Sequence, residues 1–158
     1  MITWKLLGVL LLLGTGVLSS KTLSYYERKR VAILDGWLDL IYHIRTQIDC
    51  YLTPVEQIFA EASPALLRAC MGDRNVKNPT QLLKCSRLYL NEESANLLEA
   101  FGREIGCCYR EEQVKRCDYY LSALRNQRDQ QSAKLPARLR AHGALCLCGA
   151  FGLAILLW

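Results

Sequence analysis

Very few side chains in this sequence have the types and spacing that catalysis requires. The chain contains two histidines, His43 and His142, which are far apart in sequence. It contains no Gly-x-x-x-x-Gly-Lys-Ser/Thr phosphate-binding loop and no His-Glu-x-x-His zinc motif. His43 lies next to Ile44 in an apolar stretch, which is more typical of a structural histidine than of a base beside a nucleophile. The sequence therefore predicts a protein that is not an enzyme, with no catalytic residue and no cofactor.

Eight cysteines are the remaining reactive groups, at positions 50, 70, 85, 107, 108, 117, 146 and 148. They form no Cys-x-x-Cys arrangement, and the vicinal pair Cys107-Cys108 does not supply the four converging ligands of a structural zinc site. A disulfide framework would need an oxidising compartment. We expect reduced cysteines that pack as small apolar residues, and no bound metal.

Two pairs of adjacent acids, Glu92-Glu93 and Glu111-Glu112, are the other candidates for acid–base chemistry. Each pair is predicted to lie in the first turn of a helix. Negative charge at that position interacts favourably with the helix dipole. This structural role is a sufficient explanation for both pairs.

Charged residues are distributed unevenly along the chain, and this distribution predicts its division into segments. Residues 6–20 and 141–158 contain no Asp, Glu, Lys or Arg, whereas residues 21–140 carry all 15 acids and 19 of the 20 bases. As helices, residues 2–20 and 141–158 would be about 28 and 27 Å long, close to the bilayer's hydrocarbon thickness of about 30 Å. The sequence therefore predicts two transmembrane helices. For the first, a cleaved signal peptide and a buried helix are the alternatives.

Lysine, arginine and tryptophan flank both predicted spans. The positive-inside rule then places residues 21–140 in the cytoplasm and both termini outside. Basic residues at these positions also suit acidic phospholipid headgroups, with about 1 kcal/mol of attraction per residue near an anionic surface. The candidate membrane-interface residues are Trp4, Lys5, Lys21, Arg28, Lys29, Arg30, Arg138, Arg140 and Trp158.

Residues 21–140 are predicted to form one all-α bundle of about six helices, flanked by the N-terminal and C-terminal transmembrane helices. Apolar residues recur at spacings of three and four, as in Ile33, Trp37, Leu40 and Ile44, and no long stretch alternates as a strand does. The residues predicted to form the core are Trp37, Leu38, Ile41, Leu98, Phe101, Ile105, Leu121 and Leu124.

Helix boundaries are indicated by residues that cap helices. Thr53, Pro54 and Glu56 predict a capping box with proline in the first helical position. Gly72 and Gly106 predict helix ends, and Gly106 is expected to have a positive φ. Further helix starts are predicted at Ser63-Pro64, Asn78-Pro79 and Asn91, with a loop over residues 73–78.

A short series of motifs in the second half of the chain resembles a known family. Residues 97–106 read Leu-Leu-Glu-Ala-Phe-Gly-Arg-Glu-Ile-Gly, followed by Gln113 and Leu121, and the chain ends with Leu-Arg-Ala-His-Gly over 139–143 and Ile-Leu-Leu-Trp over 155–158. In order and spacing they resemble stage III sporulation protein AB, with its Phe-Gly-x-x-Leu-Gly motif. Ile105 stands where that family usually has leucine, and Cys107-Cys108 replaces a small polar capping pair.

The resemblance implies a non-enzymatic platform in the channel complex that links mother cell and forespore during endospore formation. Such a protein is expected in the mother-cell membrane around the forespore, with its central domain facing the mother-cell cytoplasm. That domain would be similar to the helical domain of type II secretion and type IV pilus inner-membrane platform proteins. The implied partners are a cytosolic secretion-type ATPase similar to stage III sporulation protein AA and other membrane proteins of the complex. Neither nucleic acid nor a small-molecule substrate is implied.

Charged residues outside the predicted core are the candidate contacts with such an ATPase. These partner-contact candidates are Arg68, Arg74, Lys77 and Glu104. Two alternatives from other classes remain at this point. One is a small membrane enzyme, which would need a converging cluster of titratable groups. The other is a membrane-anchored helical scaffold or sensor unrelated to sporulation.

Overall fold

The computed structural model describes residues 2–72 and 76–157. Only the backbone is described for residues 2–13, 16, 147, 150, 153, 154, 156 and 157. Over these ranges the chain forms six α-helices and one 3-10 turn and contains no strand, so the prediction of an all-α protein is confirmed. The helices are α1 (Ile2–Tyr51), α2 (Val55–Glu61), α3 (Pro64–Ala69), α4 (Pro79–Ser86), α5 (Glu92–Glu104) and α6 (Arg110–Leu157), and the 3-10 turn is Arg87–Tyr89.

The prediction of two transmembrane helices is wrong. Where the structure is described, no helix combines the length and the apolar character needed to span a bilayer. Residues 2–20 are the first part of α1, and residues 141–157 are the last part of α6.

The chain divides into two compact units, one made of residues 1–29 and 132–158 and the other of residues 30–131. Helices α1 and α6 each contribute to both units. We call residues 30–131 the central unit. The boundaries at residues 20/21 and 140/141 that were derived from charge stay a prediction.

The central unit is built around the apolar face of α1. This face includes Ile33, Trp37, Ile41 and Ile44, each at most 2% exposed. Their spacing of three and four residues places them along one side of the helix, so helices α2 to α6 pack against a continuous surface. Seven of the eight predicted core residues are buried; Leu38 is the exception, because it is only partly buried at the edge of the cluster.

Three of the predicted helix starts are confirmed by their capping hydrogen bonds. The side chains of Ser63, Asn78 and Asn91 accept from backbone N–H groups in the first turns of α3, α4 and α5. Each bond satisfies an N–H group that has no partner within the helix. The capping box at Thr53 is wrong, because α2 begins at Val55 and Pro54 precedes it without a side-chain cap.

Helix α3 ends in a Schellman motif just before Gly72, the residue that was predicted to terminate it. Met71, with φ of 66°, has the left-handed conformation, and its N–H donates to the carbonyl of Arg68 at 2.9 Å. The N–H of Gly72 donates to the carbonyl of Leu67 at 2.8 Å. Gly72 is needed for space, since a Cβ there would lie 2.3 Å from a methyl group of Leu82.

Helix α5 ends as the sequence predicts. Gly106 has a φ of +89°, a conformation that side chains with a Cβ rarely adopt. Ile105, the C-cap residue, is buried, and its N–H donates to the carbonyl of Phe101 at 3.0 Å. The side-chain amide of Gln113 then donates to the carbonyl of Cys108, which helps to start α6 after the turn.

Candidate functional site

A groove in the central unit is lined by residues from α1, α5 and α6 and from the segments that connect the helices. We call it the end groove; its volume is about 550 Å³. Leu52 follows the last residue of α1 and has a φ of 55°. Its apolar side chain is 68% exposed and lines this groove. The end groove is lined by Ile48, Leu52, Thr53, Pro54, Val55, Glu56, Asn78, Pro79, Gly102, Ile105, Gly106, Cys107, Arg110 and Gln113.

Ion pairs beside the end groove connect α1 to α6. Arg110 contacts the carboxylate of Asp49 at 3.0 Å, and Asp49 also contacts Arg45 at 3.4 Å. Arg45 in turn donates to the carboxylate of Asp118 at 2.7 Å, and this hydrogen bond is the main reason why the pKa of Arg45 is raised. The charge of Arg110 is therefore already balanced within the chain, which leaves the end groove without an unpaired cation on its lining.

A second groove runs between α5 and α6. We call it the tyrosine groove; its volume is about 440 Å³, and it is lined by Glu93, Asn96, Leu97, Ala100, Tyr119, Tyr120 and Gln127. Tyr119 is 62% exposed, whereas its neighbour Tyr120 is 4% exposed. Their ring centroids are 5.2 Å apart in an edge-to-face arrangement, and Tyr120 packs in the same way on Phe101 at 5.5 Å. The exposed ring is thus supported from beneath by the core.

The hydroxyl group of Tyr120 is held at the end of α5. Its pKa is raised to about 12, first because burial disfavours the phenolate and second because the hydroxyl hydrogen-bonds to Glu104. Glu104 also forms an ion pair with Arg116 at 3.3 Å. Glu104 therefore holds the hydroxyl of Tyr120 and is itself held by Arg116.

Burial raises the pKa values of two cysteine thiols, Cys70 and Cys117. Desolvation raises the pKa of Cys70 to about 12, with a further contribution from Asp39. The pKa of Cys117 is raised to about 11, first by desolvation and second by Asp118, while Arg45 acts to lower it. These two thiols are neutral and poorly nucleophilic at physiological pH. All eight cysteines are free thiols.

No group of three or more His, Cys, Asp and Glu side chains is placed to hold a metal ion in the part of the chain that is described.

The predicted partner contacts do not converge on either groove. Arg68 is exposed on α3, and Lys77 is exposed before α4. Glu104 is engaged by Arg116 and Tyr120, and Arg74 lies outside the described residues. None of the three described residues lines the end groove or the tyrosine groove.

The predicted membrane-interface residues have different environments. Lys21, Arg28 and Arg140 are exposed. Lys29 lies 5.3 Å from the ring centroid of Tyr25.

Two of the other predicted membrane-interface residues have partners within the chain. Arg30 donates to the carbonyl of Tyr89 at 3.0 Å, and Arg138 pairs with Glu27 at 3.2 Å. The side chains of Trp4 and Lys5, and all of Trp158, lie outside the described residues.

Sequence reasoning overlooked the tyrosine groove, although it left a signal. Tyr119 occupies a position of α6 outside the apolar series Val114, Cys117, Leu121 and Leu124. A large aromatic residue on the polar face of a helix is a candidate contact residue. What the sequence did not show is that α5 brings Leu97 and Glu93 beside it.

Comparison with known proteins identifies the second half of the chain. The family model described as stage III sporulation protein AB matches residues 80–158, which is half of the chain. The match begins in α4 and includes α5 and α6, and therefore every residue of the tyrosine groove. No curated protein and no solved structure matches the chain.

Proposed function

Because the chain belongs to the stage III sporulation protein AB family, it takes part in stage III of sporulation, and we propose that it acts there as a non-enzymatic platform. In this proposal it is a component of the mother cell–forespore channel complex that docks the cytosolic ATPase of that complex. The family is not a known enzyme family. A scaffold or sensor unrelated to sporulation is set aside by the family match.

The observation that carries the docking role is the supported, exposed aromatic ring of Tyr119. Tyrosine is enriched in the cores of protein–protein interfaces because it adds contact area and a hydrogen-bonding group at a small entropic cost. Helices α5 and α6 are also held rigidly by the core, since Phe101 and Leu124 are at most 1% exposed. A rigid surface loses little freedom on binding, which favours a docking role.

The location that we propose is the mother-cell membrane around the forespore, with residues 30–131 facing the mother-cell cytoplasm. Charge supports an association with anionic lipid headgroups. Residues 1–29 and 132–158 contain seven Lys and Arg residues and one acid, Glu27, which is paired with Arg138 at 3.2 Å. Residues 30–131, in contrast, contain 13 bases and 14 acids. Exposed apolar side chains such as Leu18 and Phe151 accompany the basic residues.

Docking is tested with the full-length chain and the matching assembled ATPase. We expect a saturable complex whose affinity falls as salt rises, because the Debye length shortens from about 10 Å at 0.1 M to about 3 Å at 1 M. Biolayer interferometry with immobilised full-length chain measures the affinity at both salt concentrations. Absence of binding by a folded chain and an assembled, active ATPase would overturn the docking role.

Membrane association is tested separately by sedimentation with vesicles. We expect the full-length chain to sediment with vesicles that contain anionic phospholipid more strongly than with neutral vesicles. The double variant Arg28→Gln/Arg140→Gln should reduce the difference, since both residues are exposed. Equal binding to neutral and anionic vesicles would contradict the role of charge.

A further inference from the structure

The tyrosine groove has the chemistry of a receptor for one cationic side chain. Glu93 is the only charged residue on its lining, and no Lys or Arg lines it. Asn96 and Gln127 add hydrogen-bond acceptors, while Leu97 and Ala100 supply an apolar floor. The groove therefore combines a negative charge, an exposed aromatic ring and an apolar surface.

Among the described residues, Glu93 forms no ion pair with a basic side chain. Arg116 is committed to Glu112 at 2.7 Å and to Glu104 at 3.3 Å. The hydrogen bond from Arg116 is also the main cause that lowers the pKa of Glu112. Arg103 and Arg87 are likewise paired with Glu99. Arg116, Arg103 and Arg87 thus have acidic partners other than Glu93.

We propose that the tyrosine groove is where the partner docks a basic amphipathic segment. One Arg or Lys side chain of that segment lies over the ring of Tyr119 with its charge directed to Glu93. Cations are attracted to the face of an aromatic ring within about 6 Å of its centroid. The apolar residues of the same segment pack on Leu97 and Ala100. This inference rests on the proposed function and adds to it the surface and the chemistry of the contact.

Substitutions in the groove test the proposal in the binding assay with full-length chain and assembled ATPase. Tyr119→Ala should weaken binding about tenfold or more, the loss that is typical of an interface hot spot. Glu93→Gln should weaken binding about threefold and reduce the dependence of affinity on salt, because one charge is removed. Glu93→Lys should weaken it further, since it places like charges together.

Two control variants match these changes closely. Tyr42 is 62% exposed, the same fraction as Tyr119, and lies on α1 away from the groove lining, so Tyr42→Ala should leave the affinity unchanged within about twofold. Glu92→Gln removes the adjacent acid from the first turn of α5 and therefore reproduces any effect of Glu93→Gln on the helix dipole. Circular dichroism and thermal unfolding confirm that each variant is folded.

A second probe separates this proposal from the docking role. N-acetyl-arginine amide, titrated into the full-length chain at millimolar concentration, should shift the NMR signals of Tyr119 and lose this effect in Glu93→Gln. If the native chain binds the ATPase and the groove variants bind equally well, the groove proposal is wrong and the docking role stands. If the native chain binds neither the ATPase nor the arginine amide, both are wrong.

A second copy of this chain is the other occupant to test. Sedimentation equilibrium of the native chain and of Tyr119→Ala measures self-association. A dimer that Tyr119→Ala disrupts, with ATPase affinity unchanged, would identify the second copy as the occupant and overturn the proposal as stated.

Discussion

The indole N–H of Trp37 donates a hydrogen bond of 3.1 Å to the hydroxyl oxygen of Ser86, and both residues are fully buried. This bond joins the centre of α1 to the last residue of α4. The hydroxyl oxygen of Ser86 lies 3.3 Å from the carbonyl oxygens of both Leu82 and Leu83, so its proton also has an acceptor. The two polar groups are therefore satisfied although both residues are buried.

Removal of the Ser86 hydroxyl is expected to destabilise the central unit. Ser86→Ala leaves the buried indole N–H of Trp37 without a partner, which should lower the free energy of unfolding by about 1–3 kcal/mol. Urea denaturation measures this loss. Ser122→Ala is the matched control, because the exposed Ser122 hydroxyl bonds only to the carbonyl of Tyr119 within its own helix. An equal, small effect of both substitutions would show that the buried bond contributes nothing.

Gly36 allows α1 and α3 to approach each other closely. A Cβ at this position would lie 2.8 Å from the carbonyl carbon and oxygen of Ala69. Alanine usually favours a helix over glycine by about 1 kcal/mol, but overpacking costs about 1–3 kcal/mol. We expect Gly36→Ala to lower the unfolding free energy by about 1 kcal/mol or more, as measured by urea denaturation. Gly14→Ala, with no atom within 4 Å of the added Cβ, should not destabilise.

Gly106 and Leu52 both have positive φ, and substitutions at these two positions should change the free energy of unfolding in opposite directions. Gly106→Ala introduces a Cβ at φ of +89° and should lower the unfolding free energy by about 1–2 kcal/mol. Leu52→Gly removes a Cβ at φ of 55° from an exposed side chain and should raise it by about 0.5–1 kcal/mol. Thermal unfolding of the two variants tests this pair of signs. Stabilisation by Gly106→Ala would contradict the role of backbone conformation.

Exposed and buried cysteines should react with a thiol reagent at different rates. At pH 8, Cys85 and Cys107 are exposed and should react promptly with a thiol reagent, whereas Cys70 and Cys117 should react only when the chain opens. Mass spectrometry after brief labelling identifies the modified residues. Prompt labelling of Cys70 in the folded chain would contradict the burial of its thiol.

The same two thiols predict a loss of stability in alkali. Their pKa values are raised by burial from 9.0 to about 12 for Cys70 and about 11 for Cys117. Above pH 9 the unfolded chain loses these protons first, so the stabilisation is complete below pH 9 and is lost as pH rises towards 11 and 12. In the double variant Cys70→Ala/Cys117→Ala, the free energy of unfolding should fall less between pH 9 and 12. The fall that remains is attributed to Tyr120, whose pKa is also raised. Identical profiles would contradict this linkage.

Three helix starts were predictable from the sequence because a cap depends on neighbouring residues. The side chain of Asn91 reaches the N–H of Ser94, only three residues away. The end of α3 was less predictable, since Met71 and not Gly72 has the left-handed conformation. Glycine is favoured after Met71 because a Cβ at position 72 would collide with the side chain of Leu82, which comes from α4. The prediction of two transmembrane helices was wrong, because no helix in the described residues is long and apolar enough to span a bilayer.

By itself, the sequence determined the all-α class and most of the core, because the spacing of apolar residues and the capping groups act over one or two helical turns. The family was recognised from the resemblance of its motifs. The Phe-Gly-x-x-Ile-Gly motif illustrates this local logic, with Phe101 buried and Gly106 ending the helix. Only the tertiary structure decided which polar residues stand together. Glu93 and Tyr119 are on different helices, and they share a groove because the apolar faces of α5 and α6 pack on the same core. Side-chain contacts between elements depend on that packing, which no local pattern specifies.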